Sequence, residues 1–292
     1  MTISVIIPTC NAGEYLQPLL SRLREQSFPP DEILVVDSAS ADGSAALAES
    51  LGARVISIPR ESFDHGGTRH LAATEARGDL LLFLTQDALP ADDSYIRNLV
   101  SPFADETVAA AGGRQVTRED ARPFEKEVRA FNYPAESRVW DASAIEERGV
   151  KAFFISDVCA AYRRSAYEAV GGFRRPLMTN EDMLMAAALL DAGWKLAYRA
   201  DAAVYHSHRF TLGQEYRRNR LIGRVLEKHS AELHHAKETG EGVRLVKHVL
   251  KQLLRKGHIL ECFAFCLNCG ARLLGNRAGR RMERKAMEDA AG

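Results

Sequence analysis

The sequence predicts an α/β protein with a mixed, mainly parallel sheet flanked by helices, followed by a helical C-terminal extension. Three observations predict it. Short apolar runs alternate with segments of helical spacing over residues 3–84, the pattern of a doubly wound sheet. Pro8, Asp37 and Asp87 fall at the ends of such runs, where sheets of this kind place their ligands. Near Thr211 the composition turns basic and helical, which divides the chain into a body of residues 1–210 and an extension of residues 211–292.

The elements follow in order. Residues 3–8 are a β-branched run and the first strand. Residues 11–26 carry Tyr15, Leu16, Leu19, Leu20 and Leu23 at helical spacing. Residues 33–36 form a strand ending at Asp37, residues 42–51 a small-residue helix, and residues 55–58 a third strand. Residues 66–77 read as a helix opened by two glycines, and residues 80–84 as a continuous apolar strand leading to Gln86 and Asp87. Further on, residues 108–116 and 153–162 are predicted strands, residues 181–192 a helix, and residues 195–198 and 203–206 two more strands. Residues 117–150 are polar and aromatic with weak periodicity, and read as an insertion.

The 292 residues are enough to bury a sizeable core. The formal charge is zero but unevenly placed: residues 211–292 hold 17 Lys and Arg against 9 Asp and Glu, and the body holds 22 against 30. An acidic body points to a cation-dependent site, and a basic tail to an anionic surface. No basic segment precedes the first strand and no apolar stretch is long enough to span a bilayer, so a cytoplasmic chain is expected. Five cysteines in such a chain are read as reduced thiols. Cys262, Cys266 and Cys269 have a spacing seen in iron–sulfur sites, but on a continuous helix they line one face and act as small hydrophobes.

Several residues could carry chemistry. Asp37 either accepts hydrogen bonds from a base or ribose, or caps the helix near Asp42. Asp87 either coordinates a hard cation bridging two phosphates, or forms a turn before Pro90. Glu181 and Asp182 open a helix, where the macrodipole favours acids; one of them could also serve as a general base. His206, with His208 nearby, either ligates a cation or is a surface feature. His65, Gly66, Gly67, Thr68 and Arg69 start a helix whose N–H groups suit an anion, or make a plain turn.

Taken together these motifs are far more specific. SVIIPTCNAGEYL, VVDSASADGS, QDA, NED and VYHSH occur in that order. This arrangement resembles glycosyltransferase family 2, and HGGTR with SDVCAAYRRSAYEAVGGF resembles its bacterial rhamnosyltransferases. The resemblance covers residues 1–225. It implies a GT-A fold, the nucleotide-diphospho-sugar transferase sheet, and inverting transfer of a sugar from a nucleotide diphosphate. The donor it implies is dTDP-L-rhamnose, with Mg²⁺ or Mn²⁺ as cofactor. The acceptor is a hydroxyl of a glycan or lipid-linked glycan in cell-surface polysaccharide (O-antigen) synthesis, and no nucleic-acid partner is expected.

By the same resemblance Asp37 holds the pyrimidine or ribose, Asp87 is the main metal ligand and His206 a possible second. Asp182 is the base with Glu181 beside it. Pro8, Thr9, His65, Gly66, Gly67 and Arg69 line the donor pocket. Gln86 stands where the family's metal motif has its first aspartate, so one acid remains. The insertion is the segment expected to meet the acceptor. The alternatives are a UDP-sugar donor, or an inactive nucleotide-binding scaffold of the same fold. A nucleotidyltransferase would need a basic, glycine-rich loop after the first strand, and PTCNAGEYL has no basic residue.

In the tail, residues 243–274 carry Val246, Val249, Leu250, Leu253, Leu254, Leu260, Phe263 and Leu267 among basic residues. Such a helix either lies peripherally on the inner face of the cytoplasmic membrane or packs its apolar side on the body.

Overall fold

The structure is a computed structural model that describes residues 1–234 and 239–291. Its strands are β1 (Ile3–Thr9), β2 (Glu32–Ser38), β3 (Arg54–Ile58), β4 (Leu80–Leu84), β5 (Leu89–Pro90), β6 (Val108–Val116), β7 (Arg138–Trp140), β8 (Cys159–Arg163) and β9 (Lys195–Tyr205). The helices of the body are α1 (Gly13–Arg24), α2 (Ser44–Ser50), α3 (His65–Glu75), α4 (Tyr95–Val100), α5 (Pro123–Asn132), α6 (Ala144–Arg148), α7 (Arg164–Ala169) and α8 (Glu181–Asp191). The tail adds α9 (Leu212–Lys228), α10 (Thr239–Arg255) and α11 (Ile259–Ala291).

All the strands join one sheet in the order β3-β2-β1-β4-β8-β6-β9-β5, with β7 on the side of β9. The first four strands are parallel, β8 runs antiparallel between β4 and β6, and β9 is parallel to β6. Both faces are covered, so alternate residues of one strand enter two cores. Ile6 joins the core under α3, α7 and α8; Val5 and Ile7 join the one under α1, α2 and α4.

Three expectations are corrected. Residues 153–162 are not one strand: a 3₁₀ turn ends at Phe153 and β8 starts only at Cys159. Between them Ser156 accepts from Gln115 Nε2 and Asp157 from the Tyr162 hydroxyl, so this stretch follows side-chain partners instead of a ladder. The two strands expected at 195–198 and 203–206 are a single strand, β9, whose register slips opposite Gly113 and Arg114. The single tail helix is two, α10 and α11, parted at Gly257, whose φ of 74° ends a helix readily. The insertion holds α5, β7 and α6.

The tail is anchored at two places. Phe124 of α5 packs with Val249 and Leu253 of α10 and Phe265 of α11, a core that Cys262 and Cys269 border. Helices α9 and α11 touch backbone to backbone: a Cβ on Gly223 would lie 2.2 Å from the Asn276 carbonyl oxygen, and one on Gly279 would overlap that of Arg220. No described helix is long and apolar enough to cross a membrane.

Candidate active site

The carboxyl end of β4 and the end of β9 meet at one place. Asp87 follows β4, and His206 and His208 follow β9. Asp87 Oδ2 is 3.5 Å from both His206 Nε2 and His208 Nδ1, and a ligand atom from each of the three lies within 4.8 Å of the others. Burial drives the pKa of His206 down to about 3, so its imidazole is neutral and its contact with Asp87 is not an ion pair. Its other nitrogen, Nδ1, lies 3.0 Å from Gln115 Oε1. Gln115 donates through Nε2 to Ser156 and accepts at Oε1 from Arg129, so that oxygen takes the Nδ1–H and leaves the Nε2 lone pair facing Asp87. One carboxylate oxygen and two imidazole nitrogens form a donor set that fits a divalent cation, and suits Mn²⁺ better than all-oxygen Mg²⁺ chemistry.

Arginines surround the trio. Arg118 donates to the Asp87 carbonyl at 3.2 Å, Arg129 holds Gln115, and Arg218 lies 5.8 Å from the Phe210 ring centroid beside His208. Among the described residues Arg118 and Arg129 form no ion pair with a carboxylate, and the charge of Glu215 acts on Arg218, so positive potential faces the trio.

A second cluster sits at the N-terminus of α8. Arg69, on α3, is 4 % exposed. Its Nη1 is 3.0 Å from Glu181 Oε1 and its Nε is 3.5 Å from Asp157 Oδ2. Asp157 donates its backbone N–H to Asp182 Oδ2 at 3.4 Å, and Met183 N–H meets Asp182 Oδ1 at 2.8 Å. Two carboxylates, Glu181 and Asp157, thus share one cation, and Asp182 lies beside them. Burial, opposed by Arg69 and aided by Glu181, pushes Asp157 up to about 7. Burial and then the charges of Glu181 and Asp157 hold Asp182 well above the usual carboxylate range. A raised carboxylate that keeps part of its surface open is suited to accept a proton.

The residues expected to hold the donor are distributed differently. Thr9 and Asp37 are cross-strand neighbours on β1 and β2, and the Thr9 hydroxyl donates to Asp37 at 3.3 Å. Asp37 also accepts from the Ser40 N–H and hydroxyl, so it shapes the turn after β2, while Asp42 takes the Gly13 N–H and caps nearby. Pro8 lies beside them at the end of β1. Gln86 forms a two-way amide contact with the backbone of Cys10, tying β4 to the loop before α1. The Gly66 and Gly67 amides do not stand open to an anion: they donate to the Leu177 carbonyl and to Asp64. Both glycines are there for packing, since a Cβ on either would strike Arg174 or Asp64. Arg69 likewise faces the acidic cluster, with His65 Nδ1 2.9 Å from its Nη1.

Comparison with known proteins places this geometry in a family. Residues 4–171 match Glycosyl transferase family 2. The chain belongs to that family and is a glycosyltransferase. It is 39% identical over 284 residues to the O-antigen chain rhamnosyltransferase RfbN of Salmonella typhimurium, covering 96% of this chain and 90% of that one. The O-antigen chain rhamnosyltransferase WbaN of Salmonella anatum is 36% identical, covering 95% and 89%. The sheet has the GT-A fold, shared with the mannosyltransferase PcManGT of Pyrobaculum calidifontis, solved with GDP-Man and Mn²⁺. That structure aligns with a TM-score of 0.66 at 18% identity, over 95% of this chain and 86% of the other.

Proposed function

We propose that the protein transfers L-rhamnose from dTDP-L-rhamnose to a hydroxyl of a glycan or lipid-linked acceptor, with inversion at the anomeric carbon, in O-antigen-type polysaccharide synthesis. The observation that carries the reading is the joint presence of two centres on one family 2 sheet: the Asp87–His206–His208 trio and the carboxylates at the start of α8. The rhamnosyl donor is suggested by the two Salmonella relatives.

In this reading Asp87, His206 and His208 hold Mn²⁺ or Mg²⁺. The cation would supply positive charge to the departing diphosphate. Arg118 and Arg218 add their charges beside that position. Thr9 and Asp37, with Pro8 at the strand end, border the nucleoside side. Asp182 accepts the proton of the acceptor hydroxyl as the new bond forms on the face opposite the nucleotide. Glu181 neutralises Arg69 and fixes the start of α8. Residues 1–210 form the catalytic domain that carries the trio and the base, and residues 211–292 form a basic helical extension that adds Arg218 to the site.

The tail meets the inner face of the cytoplasmic membrane in the same reading. Leu260, Phe263 and Leu267 of α11 are 83 %, 66 % and 63 % exposed at helical spacing, and the preceding helix α10 carries exposed Lys247, Lys251 and Arg255.

The test is turnover of purified protein with Mn²⁺ and a panel of nucleotide sugars, followed by NMR of the product. An α-rhamnoside formed from the β-configured donor is expected. Turnover with UDP-sugars alone, or a retained configuration, overturns the donor or the mechanism respectively.

A further inference from the structure

The acidic cluster holds a residue that the transfer scheme leaves unused. Asp157 is 2 % exposed, and its Oδ2 has no hydrogen bond although it is buried. Oδ1 takes the Tyr162 hydroxyl at 2.7 Å, and the backbone N–H reaches Asp182. Arg69 Nε, also without a hydrogen bond, stands 3.5 Å from that unsatisfied oxygen. A buried ion pair that is not closed into hydrogen bonds is a poor way to gain stability. Its geometry has a different consequence: Arg69 is enclosed by Glu181 and Asp157.

We propose that Asp157 is a positioning residue for the transfer reaction, which steadies the Asp182 carboxylate through its backbone N–H and occupies Arg69 so that the guanidinium does not neutralise Asp182. The inference rests on the reading of Asp182 as the base. A base paired directly with a buried guanidinium would lose most of its proton affinity. With Arg69 shared between Glu181 and Asp157, Asp182 keeps it.

The groups around this centre come from several elements. Arg69 and His65 face it from α3, Tyr162 and Cys159 from β8, Tyr167 from α7, Glu181 from α8, and Tyr133 from the end of α5. Arg69 is the cation that lies against the carboxylates, so removing Asp157's charge leaves it to act on Glu181 and Asp182 alone.

The experiment is a pH titration of the carboxyl ¹³C shift of Asp182 in the full-length protein, with the signal assigned by its loss in Asp182→Asn. In Asp157→Asn the midpoint should fall by about one unit or more. The acid limb of kcat should fall with it. Asn keeps an oxygen for Tyr162, so the variant tests charge more than shape. In Arg69→Gln, where it folds, the midpoint should rise. An unmoved midpoint in folded Asp157→Asn, with activity merely scaled down at every pH, overturns the positioning role. Normal turnover of Asp182→Asn would instead overturn the base assignment, and the two failures are distinct.

Discussion

His206 gives its Nδ1–H to the amide oxygen of Gln115 at 3.0 Å, and this single bond decides that Nε2 faces Asp87. Gln115 is therefore expected to govern cation affinity without touching the cation. Gln115→Leu should weaken Mn²⁺ binding by about 10- to 100-fold, read as the Mn²⁺ concentration for half-maximal thermal stabilisation. An unchanged Mn²⁺ response would mean that the ring holds its orientation by other means.

The donor set makes a second claim. Two imidazoles and one carboxylate favour Mn²⁺ over Mg²⁺, so Mn²⁺ should support turnover at a lower concentration. His208→Ala should raise the Mn²⁺ requirement, and Asp87→Ala should abolish transfer and leave the fold intact. Full activity of Asp87→Ala in excess chelator is the result that sinks the trio as a cation site.

The neighbouring acids at the start of α8 should fail in different ways. Asp182→Asn should lower kcat by about a hundredfold or more and leave donor binding nearly unchanged. Glu181→Gln leaves the buried Arg69 an acceptor but removes the charge of its 3.0 Å partner, so its main cost should be stability, read by denaturant unfolding. A stable Glu181→Gln protein with no turnover, beside a fully active Asp182→Asn, would exchange their roles.

Asp157 also predicts how stability depends on pH. Its pKa rises on folding, to about 7, so the native state holds a proton that the unfolded chain releases above its ordinary carboxylate range. The contribution is complete below that range and is lost as pH climbs through about 7. Melting temperature should therefore fall between mildly acidic and mildly alkaline buffer, and Asp157→Asn should flatten that part of the profile. A slope that persists unchanged in the variant would place its source in another group.

The tail can be tested by composition. Leu260→Ser with Phe263→Ser, and separately charge reversal at Lys247, Lys251 and Arg255, should each reduce binding to vesicles containing anionic lipid at low salt. Retained binding in both variants would remove the membrane from the proposal. A shift from dimer to monomer on gel filtration in the first variant would point to a second copy instead.

The parts readable from sequence were those set by local pattern. The runs ending at Asp37 and Asp87 are strands because continuous apolar residues leave few other choices, and the carboxyl ends follow from that. The placement of Glu181 and Asp182 at the start of a helix is legible because acids favour that end. Sequence names His208 beside His206 but places only His206 at the cation, because strand alternation says nothing of how the chain bends after Tyr205, and that bend turns both histidines toward Asp87. Asp157 lies in the SDVCAAYRR segment, but sequence gives it no role, because its partners Arg69, Glu181 and Asp182 lie on other elements and only the fold assembles them. In HGGTR tight packing and anion binding ask for the same residue, so the glycines alone do not separate the two, and the structure shows the packing.

Helix α9 begins at Leu212, a few residues beyond His208, and it lies against α11 with carbonyl oxygens where side chains would otherwise be. Such a seam has little room to slip, because each small displacement drives backbone into backbone. The two helices are therefore seated as one unit just beyond the segment that carries His206 and His208. Arg218, carried on that unit, thereby keeps its place beside Phe210 and His208, so the packing of the far tail helps to set the charge around the imidazoles.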